Sequence, residues 1–297
     1  MGGLVAFPTE TVYGLGANAL DPIAVRRIYE VKGRPETSPC IVHVSGAEFL
    51  PEIAADWNQM AKRLAARFWP GPLTLVVRKT SRIPPEVTAG LETVGIRMPA
   101  HPVAMELLRR AGLPVAAPSA NRFTKLSPTT AEHVRSGLGG LVDFILDGGP
   151  ATVGLESTVL SLVDEKPVML RPGMVSVSEI EQIVGPLGTP HRPPSSGPHA
   201  SPGLHARHYA PATPLYLLQP GEPPPDGLGR VLHLPRNPAQ FAATLYAELH
   251  AADAEGWDWI AITMPPSEPG WDAVRDRLVK ASTSRTPQRA GNVKVST

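Results

Sequence analysis

The chain has 297 residues, 42% of them hydrophobic and 19% charged, with a formal net charge of +1. That balance excludes a disordered chain and any general attraction to nucleic acid or membrane, so a polyanion site has to be a local patch. Cys40 is the single cysteine, which excludes a disulfide framework and a cysteine-built zinc site, and no apolar run or leader pattern predicts a membrane span or signal peptide, so a cytoplasmic enzyme or binding protein is expected.

Short runs rich in Val, Ile and Leu, bounded by turn residues, predict strands at 4–7, 40–44, 73–77, 94–98, 114–117, 143–147, 157–163 and 167–171. Helices are predicted between them. One covers 21–32, with Asp21 as its cap and Pro22 in its first turn. A second covers 54–69, with Trp57, Met60, Leu64 and Phe68 on one face. Others cover 101–112, ending at Gly112, then 127–137, opening on Ser127 and Pro128, and 176–185, where Ser176 and Glu179 form a capping box. Strands outnumber helices and do not alternate strictly with them. The pattern predicts an α/β fold with a mixed, twisted sheet and flanking helices rather than a doubly wound one.

Many of the 35 prolines crowd between Pro186 and Pro238. Proline has no amide hydrogen, so this stretch excludes a helix or a central strand and reads as an extended linker. Within it "SPGLHARHYAP" carries Arg207, His208 and Tyr209, an odd load for a spacer. A smaller α/β unit follows. Its predicted strands are 214–218, 230–234 and 259–264. One helix is capped by Asn237 and Pro238, with Phe241, Leu245 and Leu249 on one side, and another spans 271–282. The expected division is 1–186, a linker at 187–213, a second unit at 214–282, and a loose tail at 283–297.

Chemistry-bearing residues gather in the loops that follow the strands. "PTETVYGLGAN" supplies the hydroxyls of Thr9, Thr11 and Tyr13, while Gly14 and Gly16 allow close backbone approach. The third glycine of a dinucleotide fingerprint is missing, and no phosphate-loop motif occurs. "KGRPETSP" sets Lys32 and Arg34 on either side of Gly33. Their point charge and planar fork suit phosphate or carboxylate, or else they mark a solvated helix end. Arg97 lies in an otherwise apolar strand and needs a partner, which is either a structural or a substrate carboxylate.

"AAPSANRFTKLSP" is a loop of small residues carrying Ser119, Asn121 and Ser127. Ser157 and Thr158 open one strand, and Arg171 ends another. No serine sits in a GxSxG elbow. His205 and His208 lack a third metal ligand. His43 reads as a core histidine, and Glu10 and Glu156 as isolated carboxylates. Hydroxyls, amides and arginines without a protein nucleophile suit a site that binds anions and lets substrates react with each other.

In this order, "FPTETVYGLGAN", "KGRP", "IVHV", "GIRMP", "APSAN", "EST" and "LRPG" resemble the YrdC-like family of threonylcarbamoyl-AMP synthases. "PGLHARHYAP" and the trailing unit resemble its long, two-domain form, and the likeness runs from Gly3 to about Ser282. The resemblance implies a YrdC-like sheet domain followed by a Rossmann-like unit. It implies synthesis of L-threonylcarbamoyl-adenylate from L-threonine, bicarbonate and ATP, with release of pyrophosphate. The product would pass to a transferase complex that makes threonylcarbamoyladenosine in tRNA.

By the same resemblance, threonine meets Thr11, His43, Arg97, the backbone at Ala117, and Ser157. ATP meets Arg34, Ser38, Thr93, Ser119, Ser127, Arg171 and Tyr209. Lys32, Arg34 and Asn121, from the KxR and SxN signatures, are the catalytic set. Magnesium is held mainly by the ATP phosphates and water, and the linker is a lid that brings Tyr209 over the nucleotide. Two departures stand out. The similar proteins carry a further helix ahead of "GGLVAF", so a late or truncated start is expected, and Ala206 replaces an aromatic residue in the linker. Two other readings use the same fold. One is an RNA-binding module with Lys32, Arg34, Arg122 and Lys125 as a basic patch, although a net charge of +1 and few aromatics argue against strong nucleic-acid binding. The other is a carbamoyl-transfer module that prefers carbamoyl phosphate to threonine.

Overall fold

The computed structural model describes residues 2–189, Pro202 and 208–283. Most of the expected linker, with His205, Ala206 and Arg207, lies outside them, as does the tail from 284. In chain order the elements are β1 (Val5–Phe7), β2 (Gly14–Asn18), α1 (Pro22–Lys32), β3 (Ile41–His43), α2 (Leu50–Ile53), α3 (Gln59–Phe68), β4 (Leu73–Arg78), α4 (Pro85–Thr88), β5 (Thr93–Arg97), α5 (Pro102–Ala111), β6 (Val115–Ala116), α6 (Ala131–Leu138), β7 (Phe144–Ile145), β8 (Thr158–Ser161), β9 (Val168–Arg171), α7 (Val177–Val184), β10 (Leu215–Leu218), β11 (Gly229–Leu232), α8 (Pro238–Ala254), β12 (Trp259–Thr263) and α9 (Asp272–Ala281).

The first sheet has nine strands in the order β7-β1-β2-β6-β3-β5-β4-β8-β9. The pairs β1/β7, β3/β5 and β4/β8 are parallel and the other neighbours antiparallel, so the sheet is mixed, as its irregular alternation with helices predicts. The smaller unit is a parallel sheet in the order β10-β12-β11 with α8 and α9. Helix caps follow the sequence closely. Asp21 accepts from the nitrogens of Ile23 and Ala24, Ser176 and Glu179 form the capping box, and Asn237 caps α8. Gly33 ends α1 in the left-handed region (φ 61°), where a side chain would be strained.

Several elements depart from the sequence expectation, the short helices α2 and α4, which it did not include, among them. β2 reads as a loop because "GLGAN" has no β-branched residue. Its glycines answer to crowding, since a Cβ on Gly16 would lie 2.8 Å from the Phe7 ring and 2.9 Å from Val115. The helix expected over 54–69 starts late. Ala54 bridges to Lys79, and Asn58 restarts the chain by accepting from the nitrogen of Ala61 at 3.0 Å. The helix expected from Ser127 begins at Ala131 under the Thr130 cap, because the Ser127 hydroxyl donates to Glu156 instead.

Two apolar clusters place the site. One fills the first domain around Leu15, Ile28, Val42, Leu75 and Ile96. The other crosses between units and packs Val12, Leu126 and Leu155 with Tyr209, Phe241, Leu245, Leu249 and Trp271. Each such buried side chain contributes about 1.5–3 kcal/mol, so the second unit is docked on the first. α6 and α8 meet at a stacked histidine pair, His133 on His250, with ring centres 3.8 Å apart.

Candidate active site

The loops after β1, α1 and β6 converge with β3, the ends of β5 and β9 and the approach to β8 around one cavity. The loop after β1 is knotted by its own hydroxyls. Thr9 Oγ1 donates to the carbonyl of Val12 at 2.6 Å and lies 2.8 Å from Thr11 Oγ1. Thr11 then accepts from Arg97 at 2.9 Å, so β5 positions the loop. Arg97 is 4% exposed, and its fork meets Glu10 at 2.6 Å, while its Nε donates to the carbonyl of Gly71. Glu10 also accepts from the nitrogen of Ala100, so its reading as an isolated carboxylate is corrected: it is half of a buried ion pair.

Nine of the fourteen expected site residues line this cavity: Thr11, Arg34, His43, Arg97, Ala117, Ser119, Ser157, Arg171 and Tyr209. Thr93 lines an adjoining hollow, which shares Ile41 and Pro202 with the first. Pro202, from the linker, therefore stands between the two spaces. Lys32, Asn121, Ser38 and Ser127 are buried behind the walls. The amide of Ala117 donates to the carbonyl of Ile41, which leaves its own carbonyl as what it can offer a ligand.

Burial rules out the solvated-helix-end reading of the KxR stretch. Lys32 Nζ donates to the carbonyls of both Ser119 and Asn121. The nitrogen of Phe123 donates back to the carbonyl of Lys32 at 2.8 Å, and Arg122 donates to that of Val31. The carbonyls at the end of α1 are thus satisfied by the loop that carries the SxN signature, and Lys32 pins that loop from below. Burial, and then the nearby Arg34 charge, hold the Lys32 ammonium well below the usual lysine range. With Lys32 and Arg34 buried, the basic patch imagined with the exposed Arg122 and Lys125 does not form.

Arg34 donates to the carbonyl of Pro39 at 2.9 Å, but its buried Nε has no hydrogen-bond partner among the described residues. Asn121 donates to the carbonyls of Arg122 and Lys125, and its buried Oδ1 likewise lacks a partner among them. Orphaned buried groups are costly, and at a cavity wall they mark places for a ligand. Arg171 completes the cationic lining. It holds the carbonyl of Ser157 through two nitrogens and reaches the carbonyl of Pro202 at 3.2 Å. Ser157 Oγ pairs with Thr74 Oγ1 at 2.7 Å and accepts from Arg171 at 3.2 Å; a protonated guanidinium only donates, so neither partner takes the serine's proton to make it a nucleophile. Gly173 in "LRPG" has no room for a side chain, because a Cβ there would lie 2.3 Å from the nitrogen of Thr158.

Glu156 was also read as isolated, and the structure corrects this. Arg277 of α9 reaches it at 2.7 Å, the Ser127 hydroxyl donates to it, and the Tyr246 hydroxyl lies 3.3 Å from both of its oxygens. Among the described residues no three His, Cys, Asp or Glu side chains gather as metal ligands. The Glu156 carboxylate is committed to these donors. His205 lies outside the described residues, and His208 packs against Tyr209 and Phe123.

His43 is neutral throughout the physiological range. Burial, and then the charge of Arg97, lower its pKa to about 3, and its Nδ1 donates to the carbonyl of Ile41. His133 is lowered to about 4 by burial and by His250. A histidine held below its unfolded pKa of about 6.5 stabilises the fold fully above that value. As pH falls from 6.5 towards 4 and then 3, the unfolded chain takes up protons that the native one refuses, and stability drains away. Urea midpoints should therefore drop across this window, and H133N should flatten the upper part of the drop.

A family model, Sua5_yciO_yrdC, described as "Telomere recombination", matches residues 1–173. The chain belongs to the Sua5/YciO/YrdC family. A second model, Sua5_C, described as "Threonylcarbamoyl-AMP synthase, C-terminal domain", matches residues 175–283. Within the family, the threonylcarbamoyl-AMP synthase of Bacillus subtilis is 50% identical over 73% of this chain and 63% of its own length. That of Pyrococcus abyssi is 47% identical over 73% of this chain and 65% of its own. The matched stretch thus spans just under two thirds of each relative. A crystal structure of P. abyssi Sua5 complexed with L-threonine superposes with a TM-score of 0.87 at 38% identity, covering 95% of this chain and 91% of that one. The likeness extends through both units of the Sua5 fold.

Proposed function

We propose that this chain makes L-threonylcarbamoyl-adenylate from L-threonine, bicarbonate and ATP, releasing pyrophosphate, in the cytoplasm, and hands the product to a tRNA-modifying transferase complex. The observation that carries the reading is one cavity walled by three buried guanidiniums, those of Arg34, Arg97 and Arg171, with no activated nucleophile among the described residues that line it. The names of the two relatives and the threonine complex of the P. abyssi protein support the choice of substrates.

Threonine binds with its carboxylate on the remaining N–H groups of Arg97, beside Thr11, His43, the carbonyl of Ala117 and Ser157. Neutral His43 offers no competing charge there. The threonine nitrogen attacks carbon dioxide derived from bicarbonate and loses a proton, giving an N-carboxylate. One oxygen of that carbamate attacks the α-phosphorus of ATP, and the bond to pyrophosphate breaks. Both reactants are anionic, so their approach is opposed by charge. Arg34 and Arg171 offset that repulsion from fixed positions, and the barrier falls through orientation and electrostatics. Magnesium bound by the ATP phosphates would neutralise part of their charge.

Ser38, Thr93, Ser119 and Ser127 belong to the nucleotide side, while Asn121 and Lys32 shape the loop beneath it. Tyr209, 1% exposed and held at φ 63°, forms the inner wall where the linker ends. There the linker shields the carbamate from water as a lid. Purified protein given ATP, bicarbonate and threonine should release pyrophosphate in step with threonylcarbamoyl-adenylate formation. Release that ignores threonine, or needs carbamoyl phosphate, would overturn the reading.

A further inference from the structure

Glu156 is the one acidic side chain lining the cavity among the described residues. A carboxylate in the wall of a triphosphate site is a liability, because like charges repel strongly where water is scarce. The answer lies on the other domain. Arg277, 0% exposed, sits on the same stripe of α9 as Val274, Leu278 and Ala281, so the helix drives it into the interface. Its Nε donates to Glu156 at 2.7 Å, and another nitrogen donates to Asp276 at 2.6 Å. Its guanidinium carbon lies 5.2 Å from the centre of the Tyr209 ring. The same helix holds the end of the linker. The carbonyl of Lys280 accepts from the nitrogen of His208 at 3.0 Å, and the nitrogen of Ala210 donates to Thr124 of the first domain at 2.9 Å.

We propose that Arg277 is a positioning residue supplied by the second domain: by neutralising Glu156, it makes the nucleotide side of the first domain fit for a triphosphate. The site is complete only when α9 is docked. This rests on the adenylation reading and gives the second domain its part in it.

The groups around Glu156 fix what losing Arg277 does. Arg171 faces it from β9, Tyr246 from α8, Tyr209 from the linker end and Ser127 from the loop before α6, with Asp276 beyond Arg277. Burial pushes the Glu156 carboxyl up, and Arg277 with Arg171 outweighs it, holding it at about 2. Without Arg277 burial dominates, so the carboxyl either stays charged and repels phosphate or takes a proton as pH falls.

ATP binding to the full chain, without threonine or bicarbonate, is measured by calorimetry at pH 8.5 and 6.5. R277Q should raise the Kd by about tenfold or more at pH 8.5, with a smaller loss at 6.5. E156Q/R277Q, which removes both charges, and R277K, which keeps the cation, should both bind within about threefold of wild type at both pH values. Wild-type affinity in R277Q at both values would overturn the proposal, and so would a double variant as weak as R277Q. Should R277Q not fold, the other two variants carry the test, and weak binding by both would overturn it. Wild-type protein that binds ATP yet releases no pyrophosphate would sink the adenylation reading while leaving these binding comparisons intact.

Discussion

R97Q should all but abolish threonine binding, raising its Kd on the order of a hundredfold, while ATP affinity changes little. Arg97 is a buried cation lining the cavity where threonine is proposed to bind, and its Nε and one fork nitrogen are already engaged by Gly71 and Thr11. Its contact with Glu10 at 2.6 Å complicates a simple reading of the loss. Breaking a buried pair leaves an uncompensated charge and costs about 3–5 kcal/mol, so R97Q should also unfold at lower urea. E10Q/R97Q separates the two effects. Removing both charges should recover most of the stability and none of the threonine affinity. Equal losses of threonine and ATP binding, measured by calorimetry, would refute the assignment of Arg97 to threonine.

The second large effect is expected at Lys32. K32M deletes two donors to buried carbonyls, those of Ser119 and Asn121, and frees the loop that carries Asn121 and the wall at Ser119. An unmade buried hydrogen bond costs about 1–3 kcal/mol, more than such a loop tolerates without moving. A shift of about 1 Å in a reacting geometry lowers the rate about a hundredfold. Adenylate formation should fall by that order while circular dichroism stays native. K32R should not rescue it, since a planar fork cannot direct one nitrogen at two converging carbonyls. Full activity in K32M would remove the residue from the mechanism.

How far the sequence carried the account is clearest residue by residue. Strands β3, β4, β5, β8 and β9 were legible because each is a run of Val, Ile and Leu between turn residues. β2 was not, because its glycines are set by the Phe7 ring on a neighbouring strand, a contact that leaves no local pattern. The late starts of α3 and α6 were missed because tertiary contacts, the bridge of Ala54 to Lys79 and the bond of Ser127 to Glu156, take the first expected residues out of each helix.

In the site, Arg97 announced itself as a charge inside an apolar strand. Its partner Glu10 did not, since residues 87 positions apart meet only through the fold. Glu156 and Arg277 are separated by 121 positions and lie on different domains. One sign of Arg277 was present all the same: it occupies an apolar position in the spacing of Val274, Leu278 and Ala281. Lys32 was legible as an important cation but not as a pin, because its role depends on which carbonyls the fold brings above it.

The account turns on two anions meeting in one cavity between fixed arginines. A crystal structure grown with threonine and a non-hydrolysable ATP analogue measures this directly. Threonine's carboxylate should sit on Arg97 and the analogue's phosphates beside Arg34 and Arg171, with threonine's nitrogen facing the α-phosphate. Finding the two ligands in separate spaces, or the phosphates on the outer surface at Arg122 and Lys125, would contradict it.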